Sequence, residues 1–332
     1  MHVAHLYRYP VKGLSAEPLA SVQLDAGGIF PFDRCLAFLR TQSDFDADAP
    51  HWLPKANFLM LMLHERLAEL HTRFDPERRL LIVESTTGTR RFAIDDPDAR
   101  RELEAFLERT AGSRAGAPRL VEAPAHHFMD KADRVISLIN LASIDDLARR
   151  LRKPVDPLRF RANIYISGAP TWAELDWVGR ELRIGNTLFR VDRRNGRCAA
   201  TNVNPSTAAR DLDIPGTLRQ HFGHKDCGVY LVVTRAGCVR TGDGVEVAAP
   251  LAPAASPAPT ASPAPAARPA PVLAASEAWM CRACYLVVPA ARFASAAASA
   301  TRPPRPLLPP ADWKCPDCGA GATLLERAQP VF

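Results

Sequence analysis

Glu181-Leu182-Arg183-Ile184-Gly185-Asn186-Thr187-Leu188-Phe189-Arg190-Val191-Asp192 contains two short β-rich runs, Glu181–Ile184 and Leu188–Asp192, parted by Gly185 and Asn186. Runs of this kind recur at Val3–Tyr9, Ser21–Leu24, Cys35–Arg40, Leu80–Glu84, Phe160–Ser167 and Val229–Thr234, with Gly, Pro, Asn or Asp between many of them. Helical spacing is rarer. It predicts a helix over Pro97–Arg109, with Leu103, Phe106 and Leu107 on its apolar face, and one over Ile144–Leu151 with Ser143 as N-cap. Strands do not alternate with helices, which argues against a doubly wound sheet. The expected class is mainly β with a few helices, in β-barrel-type architecture. A change of character near residues 115–130 sets the expected boundary between two subdomains, 1–125 and 126–248.

Beyond the body, residues 249–276 are about two-thirds Ala and Pro. Such a stretch cannot build a core, and it reads as a polyproline-like linker of roughly 80–90 Å when extended. A tail of 277–332 follows. The chain has 332 residues and a net charge of +6. Its basic residues are spread along it without consecutive blocks and aromatics are sparse, so nucleic acid is a weak expectation and a small anionic ligand a better one. No apolar run reaches the length of a membrane span. The first residues lack a signal-peptide pattern, and eight cysteines are then expected to be thiols or metal ligands of a cytoplasmic protein.

Two cysteine patterns stand out. In the tail, Cys281-Arg282-Ala283-Cys284 and Cys315-Pro316-Asp317-Cys318 are paired knuckles separated by 30 residues. Four soft ligands so arranged suit a tetrahedral metal, and a tail this small needs such a staple to fold. Asp312-Trp313-Lys314-Cys315-Pro316-Asp317-Cys318-Gly319 resembles the second knuckle of rubredoxins. That resemblance implies one iron in four thiolates carrying one electron; a zinc ribbon is the alternative. Tyr285 stands where rubredoxins usually have Gly.

In the body, Arg190, Arg193, Arg194 and Arg197 precede Cys198 within eight residues. Nearby cations favour a thiolate, which makes Cys198 the candidate reactive cysteine. Arg197-Cys198, followed by Thr201 and Val203-Asn204-Pro205, resembles the signature of the MOSC domain, the family named after the C-terminal part of molybdenum-cofactor sulfurase. Tyr9-Pro10-Val11-Lys12-Gly13-Leu14-Ser15 resembles the opening of the β-barrel domain that precedes MOSC domains. Arg159-Phe160-Arg161-Ala162-Asn163 resembles a further segment of the family, and Glu174, Trp177 and Gly185 fit the pattern after it. The resemblance covers residues 1–248. It implies a molybdopterin-type cofactor with Cys198 as molybdenum ligand, and with Lys12, Arg34, Arg161, Asn163, Arg197 and Thr201 around the pterin or its phosphate.

Taken together, the expectation is a molybdenum-cofactor-dependent reductase. It would act on a small N-hydroxylated or N-oxide-type substrate, fed through the fused iron site by an electron-donating reductase. A second reading makes Cys198 a persulfide carrier. This chain has no region resembling the pyridoxal-phosphate desulfurase, so the sulfur would come from a desulfurase partner. A third is a non-catalytic binding protein with a zinc ribbon. The remaining cysteines, Cys35, Cys227 and Cys238, read as structural, although Asp226 and His224 beside Cys227 allow a second polar site. His126-His127 reads as surface and Gly242-Asp243-Gly244 as a hairpin turn.

Overall fold

The computed structural model describes residues 1–40, 45–112, 116–123, 125–248 and, in the tail, 278–281, 287–289, 313 and 325–327. Strand β1 (His2–Arg8) buries Val3 and Leu6, a spacing of three that a register irregularity between Val3 and His5 makes possible. There follow β2 (Glu17–Leu19), β3 (Ser21–Leu24), β4 (Leu36–Leu39), β5 (His71–Asp75), β6 (Leu80–Ser85) and β7 (Gly88–Ala93). Helix α1 (Pro97–Ala111) starts with Pro at its first position and with Asp96 accepting the Asp98 amide. Then come β8 (Arg119–Glu122), β9 (Ile136–Asn140), α2 (Leu141–Leu151), β10 (Ile164–Ser167), β11 (Glu181–Ile184) and β12 (Thr187–Gly196). The body ends with α3 (Ile214–Phe222), β13 (Asp226–Arg235), β14 (Gly237–Arg240) and β15 (Val245–Val247).

One eight-stranded sheet runs in the order β15-β11-β12-β13-β9-β10-β1-β2. Its neighbours are antiparallel except β9 and β10, which are parallel and joined through α2. The sheet curls so that its far ends meet. His2 bridges Gly244, the Val3 amide donates to the Asp243 carbonyl at 2.9 Å, and the Val245 amide donates to the Met1 carbonyl at 3.0 Å. The result is the mainly β, barrel-like architecture with few helices that the strand-rich sequence implies.

The two largest apolar clusters among the described residues lie in the body. Phe189, Leu182, Ile184, Val191, Leu231 and Ile166 pack inside the large sheet with Val3, Leu6, Val22, Leu24 and Phe30. Leu36, Phe38, Leu81, Phe92, Leu103 and Leu107 make the other, between β4–β8 and α1. Met1–Ala248 forms one compact unit and Ala249–Phe332 the second. In that second unit β16 (Ala278–Cys281) is the middle strand of an antiparallel sheet with β17 (Val287–Pro289) and β18 (Leu325–Arg327). Cys281 ends β16, paired at Cα level with Leu325. Cys284, Cys315 and Cys318, and the Ala/Pro stretch 249–276, lie outside the described residues.

Local expectations differ from the structure in four places. Helix α2 begins three residues early: Asn140 is the N-cap, and Ser143 lies inside the helix, buried, donating to Glu174 at 2.9 Å. The strand expected from Phe160 begins at Ile164, because Pro157–Phe160 is a 3₁₀ turn and Arg161 follows it in the left-handed region at φ 52°. A turn does form at Gly242, but it joins no hairpin: β14 pairs with β3 and β15 with β11. His127 is buried rather than at the surface, stacked on His126 beside Phe128.

Candidate functional site: a cationic cleft at Cys198

Cys198 sits where β12 ends and a 3₁₀ turn, Ala199–Asn202, begins. The turn is tightened by Thr201, whose amide and hydroxyl both donate to the Cys198 carbonyl, at 3.1 and 2.9 Å. Arg159 braces the same turn from outside, donating to the Asn202 carbonyl at 3.0 Å and to Asp211 at 2.6 Å. The thiol is thereby held on a fixed, partly exposed corner.

The corner opens on a cleft of about 160 Å³ that also takes Lys12, Arg34, Arg161, Asn163, Arg197 and Thr201 into its lining. The seven residues singled out from sequence therefore converge, although they come from four separate chain segments. Six cationic side chains border the cleft: Lys12, Arg34, Lys131, Arg159, Arg161 and Arg197. Asp130, Asp33 and Asp211 pair with Lys12, Arg34 and Arg159. Lys131, Arg161 and Arg197 have no carboxylate partner among the described residues. Burial, followed by the adjacent Arg34, lowers the Arg161 pKa to about 10, which is the signature of a cation short of counter-charge. Asp130 keeps about half of its side chain in contact with solvent; partial desolvation opposes ionisation, but Lys12, Lys55 and Arg34 outweigh it and hold the carboxyl below its ordinary range.

The individual roles are unequal. Arg34 and Arg161 lie over the Tyr9 ring at 4.3 and 4.4 Å from its centroid. Both adopt the left-handed backbone, at φ 49° and 52°, a conformation that costs an ordinary residue stabilisation and is concentrated at functional sites. Arg197 is buried and spends its donors on the protein, on the Cys227 carbonyl at 2.7 Å and the Phe160 carbonyl at 2.9 Å. Asn163 is also a bracket: its amide donates to the Tyr7 carbonyl and accepts from the Ser137 amide, both at 3.2 Å, tying β1 and β9 to the start of β10. Of the four arginines that precede Cys198 in sequence, only Arg197 borders the cleft. Arg190 and Arg193 pair with Asp192, and Arg194 with Asp176. The positive surroundings of the thiol are supplied by other strands. Arg159, Tyr9, Asp130 and Lys131 were assigned no site role from sequence. Arg159 and Tyr9 stood in the motifs already quoted, whereas nothing local marked Asp130 or Lys131.

The other cysteines have different settings. Cys227 is fully buried among Ile139, Leu147 and Leu218. Cys35 packs against the second core, where burial, followed by Glu122, pushes its thiol up to about 12. Cys238 is partly exposed on β14. His224 accepts the Asp226 amide at 3.1 Å, a local turn contact. Among the described residues no cluster of three or more His, Cys, Asp or Glu has metal-ligand geometry, and no helix is long and apolar enough to cross a membrane.

Residues 123–246 match the MOSC domain family. This MOSC region spans the strands β9–β15 and the Cys198 turn. The chain is similar to Mitochondrial amidoxime-reducing component 1 of Xenopus laevis, 34% identical over 122 residues, which are 33% of this chain and 35% of that protein. It is also similar to Molybdenum cofactor sulfurase of Danio rerio, 40% identical over 74 residues, 22% of this chain and 9% of that one. The chain thus spans about a third of the length of the first curated relatives it matches. Among solved structures, the YUAD protein from Bacillus subtilis aligns over 74% of this chain and 94% of that chain, at 16% identity and a TM-score of 0.37.

Proposed function

We propose that the cleft holds a molybdenum cofactor of the pterin type and that the protein reduces small N-hydroxylated or N-oxide compounds. One observation carries this reading: a partly exposed thiol and three cations without a carboxylate partner converge on a single cleft. The donor set suits such a group. A thiol is a soft metal ligand, and Arg161 with Lys131 offers an anionic phosphate the counter-charge it needs. Similarity to an amidoxime-reducing component adds support.

The residues divide the work. Cys198 is the metal ligand, displayed by the turn that Thr201 and Arg159 fix. Arg34 and Arg161 clamp the anionic end, with Tyr9 spacing their guanidinium groups. Arg197 and Asn163 brace the strands behind. Asp130, kept ionised by Lys12, holds that lysine in place at the rim. When bound, the molybdenum cofactor supplies two electrons to the N–O bond, which breaks with uptake of two protons to give the reduced nitrogen compound and water. In the same reading the tail 277–332 is a rubredoxin-like module whose Cys281, Cys284, Cys315 and Cys318 hold iron. It returns electrons one at a time from an upstream reductase, across the 249–276 linker, in the cytoplasm.

Metal analysis with a visible spectrum tests this. Iron and molybdenum near one each, and loss of molybdenum and turnover in Cys198→Ala with iron retained, are the expected results. Turnover surviving in Cys198→Ala would overturn the reading. Similarity to a molybdenum cofactor sulfurase favours a second one, in which Cys198 carries a persulfide. A mass gain of one sulfur atom on Cys198, in protein without molybdenum, would select it.

A further inference from the structure

A second cavity, of about 120 Å³, lies against the Cys198 cleft. The two share Gly13, Leu61, Arg159, Arg161 and Ala200, so one wall serves both. The rest of the second cavity is chiefly apolar, with Leu14, Ala16, Ala68, Leu158, Val203 and Pro205 on its surface. Four of the polar groups bordering it are engaged with the protein, and two others, His71 and Ser206, are exposed. Arg159 is held by Asp211 and the Asn202 carbonyl, and Arg161 donates to the Leu14 carbonyl at 2.6 Å. Asp156 accepts the Leu158 amide at 2.8 Å, and Ser15 accepts the Thr72 amide at 2.7 Å. The apolar side of this wall, away from Arg159 and Arg161, rewards an uncharged body for the apolar area it removes from water. Ala200 is two residues from Cys198, so the two Cα atoms are at most about 7.6 Å apart. The cavity therefore begins two residues along the chain from the one that carries the cleft's thiol.

We propose that this cavity seats the uncharged, ring-sized organic body of the ligand whose reactive end enters the Cys198 cleft. Ala68, Ala200 and Val203 set the size it accepts, and Ala200 stands between body and reactive end. The inference rests on the reductive reading for the chemistry of that end, but not for the seating of the body.

Two N-oxides with the same head separate the cases: trimethylamine N-oxide, and N,N-dimethylaniline N-oxide, in which a phenyl ring replaces a methyl group. With the full-length protein, saturation-transfer NMR should show the ring of the aniline N-oxide in contact with protein. Ala200→Leu and Ala68→Leu should each weaken that binding about tenfold. In turnover, both variants should raise KM for the ring compound about tenfold, and Ala68→Leu, which lies outside the Cys198 cleft, should leave kcat/KM for trimethylamine N-oxide unchanged. Binding of the ring compound that is the same in wild type and both variants would overturn the proposal. So would loss of molybdenum and pterin from Ala200→Leu with its fold intact, which would give the cavity to the cofactor. Ring binding that the variants abolish, in a wild type that reduces neither compound, would retain the cavity assignment and reject the reductive reading.

Discussion

Arg161 sits at the meeting point of three constraints: a left-handed backbone, a Tyr9 ring under its guanidinium, and a second cation, Arg34, on the same ring. The ring spaces two like charges that would otherwise repel. Removing it in Tyr9→Leu should weaken binding of inorganic phosphate to the full-length protein roughly five- to thirtyfold, since each of the two stacks is worth about 0.5–1 kcal/mol. Tyr9→Phe keeps the ring and should bind within about twofold of wild type, losing the hydroxyl's hydrogen bonds to the Ala162 carbonyl and to Tyr165. Titration calorimetry on both variants checks this, and equal affinities would refute the ring's role. Gly228 bears a different constraint. At φ 79° a Cβ there would lie 2.4 Å from the Leu138 carbonyl oxygen and 3.1 Å from Arg197. Gly228→Ala should therefore cost at least about 1–3 kcal/mol in urea unfolding and loosen the Arg197 bracket. At His127, burial, followed by His126, lowers the imidazole pKa to about 4 from its ordinary 6.5. The unfolded chain takes up this proton first on acidification. Stability from this residue is thus complete above about pH 6.5 and lost as the pH falls through about 4. Replacing His127 with Phe should flatten that limb of the stability-versus-pH curve; an unchanged slope would place the acid sensitivity elsewhere.

At the scale of elements, helix α1 was legible because three signals coincide: Asp96 and Pro97 at its start, Gly112 at its end, and Leu103, Phe106 and Leu107 buried on one face. Leu103→Ala should cost about 2–5 kcal/mol in denaturant unfolding, with the cavity falling in the β4–β8 core and not in the large sheet. A change below about 1 kcal/mol would mean that the helix contributes little to that core. Helix α3 was missed because nine residues give the apolar spacing too little room to show, although Asp213 and Gly223 bound it. The start of β10 was misplaced for a conformational reason. Asp156 caps a 3₁₀ turn, and nothing in Arg161 itself announces a left-handed backbone. The candidate site shows the same division. Its residue types were readable as motifs, yet the arginine cluster written next to Cys198 was misleading, since Arg190, Arg193 and Arg194 pair with Asp192, Asp133 and Asp176 outside the cleft.

For the whole molecule, the division into Met1–Ala248 and Ala249–Phe332 makes the two metal questions separable. Under the proposed reading, in which Cys315 helps to hold iron and Cys198 holds molybdenum, Cys315→Ser should abolish the visible iron spectrum while leaving the molybdenum content and the thermal unfolding of the body unchanged. A body transition lowered by several degrees would show that the tail stabilises it. The sequence alone determined the strand-rich class, the Ala/Pro stretch that parts body from tail, the paired cysteine knuckles and the identity of Cys198. Each of these is written in local composition or spacing, which needs no knowledge of long-range contacts. Tertiary structure decided how β1, from the first eight residues, comes to pair with β10 and β2, and how the large sheet closes by meeting β15. It also decided which cations surround the thiol. Lys12, Arg34, Lys131 and Arg161 are brought together by strand pairing over separations of up to about 150 residues. Closure of a sheet depends on which edges find each other, and no local pattern of side chains carries that choice.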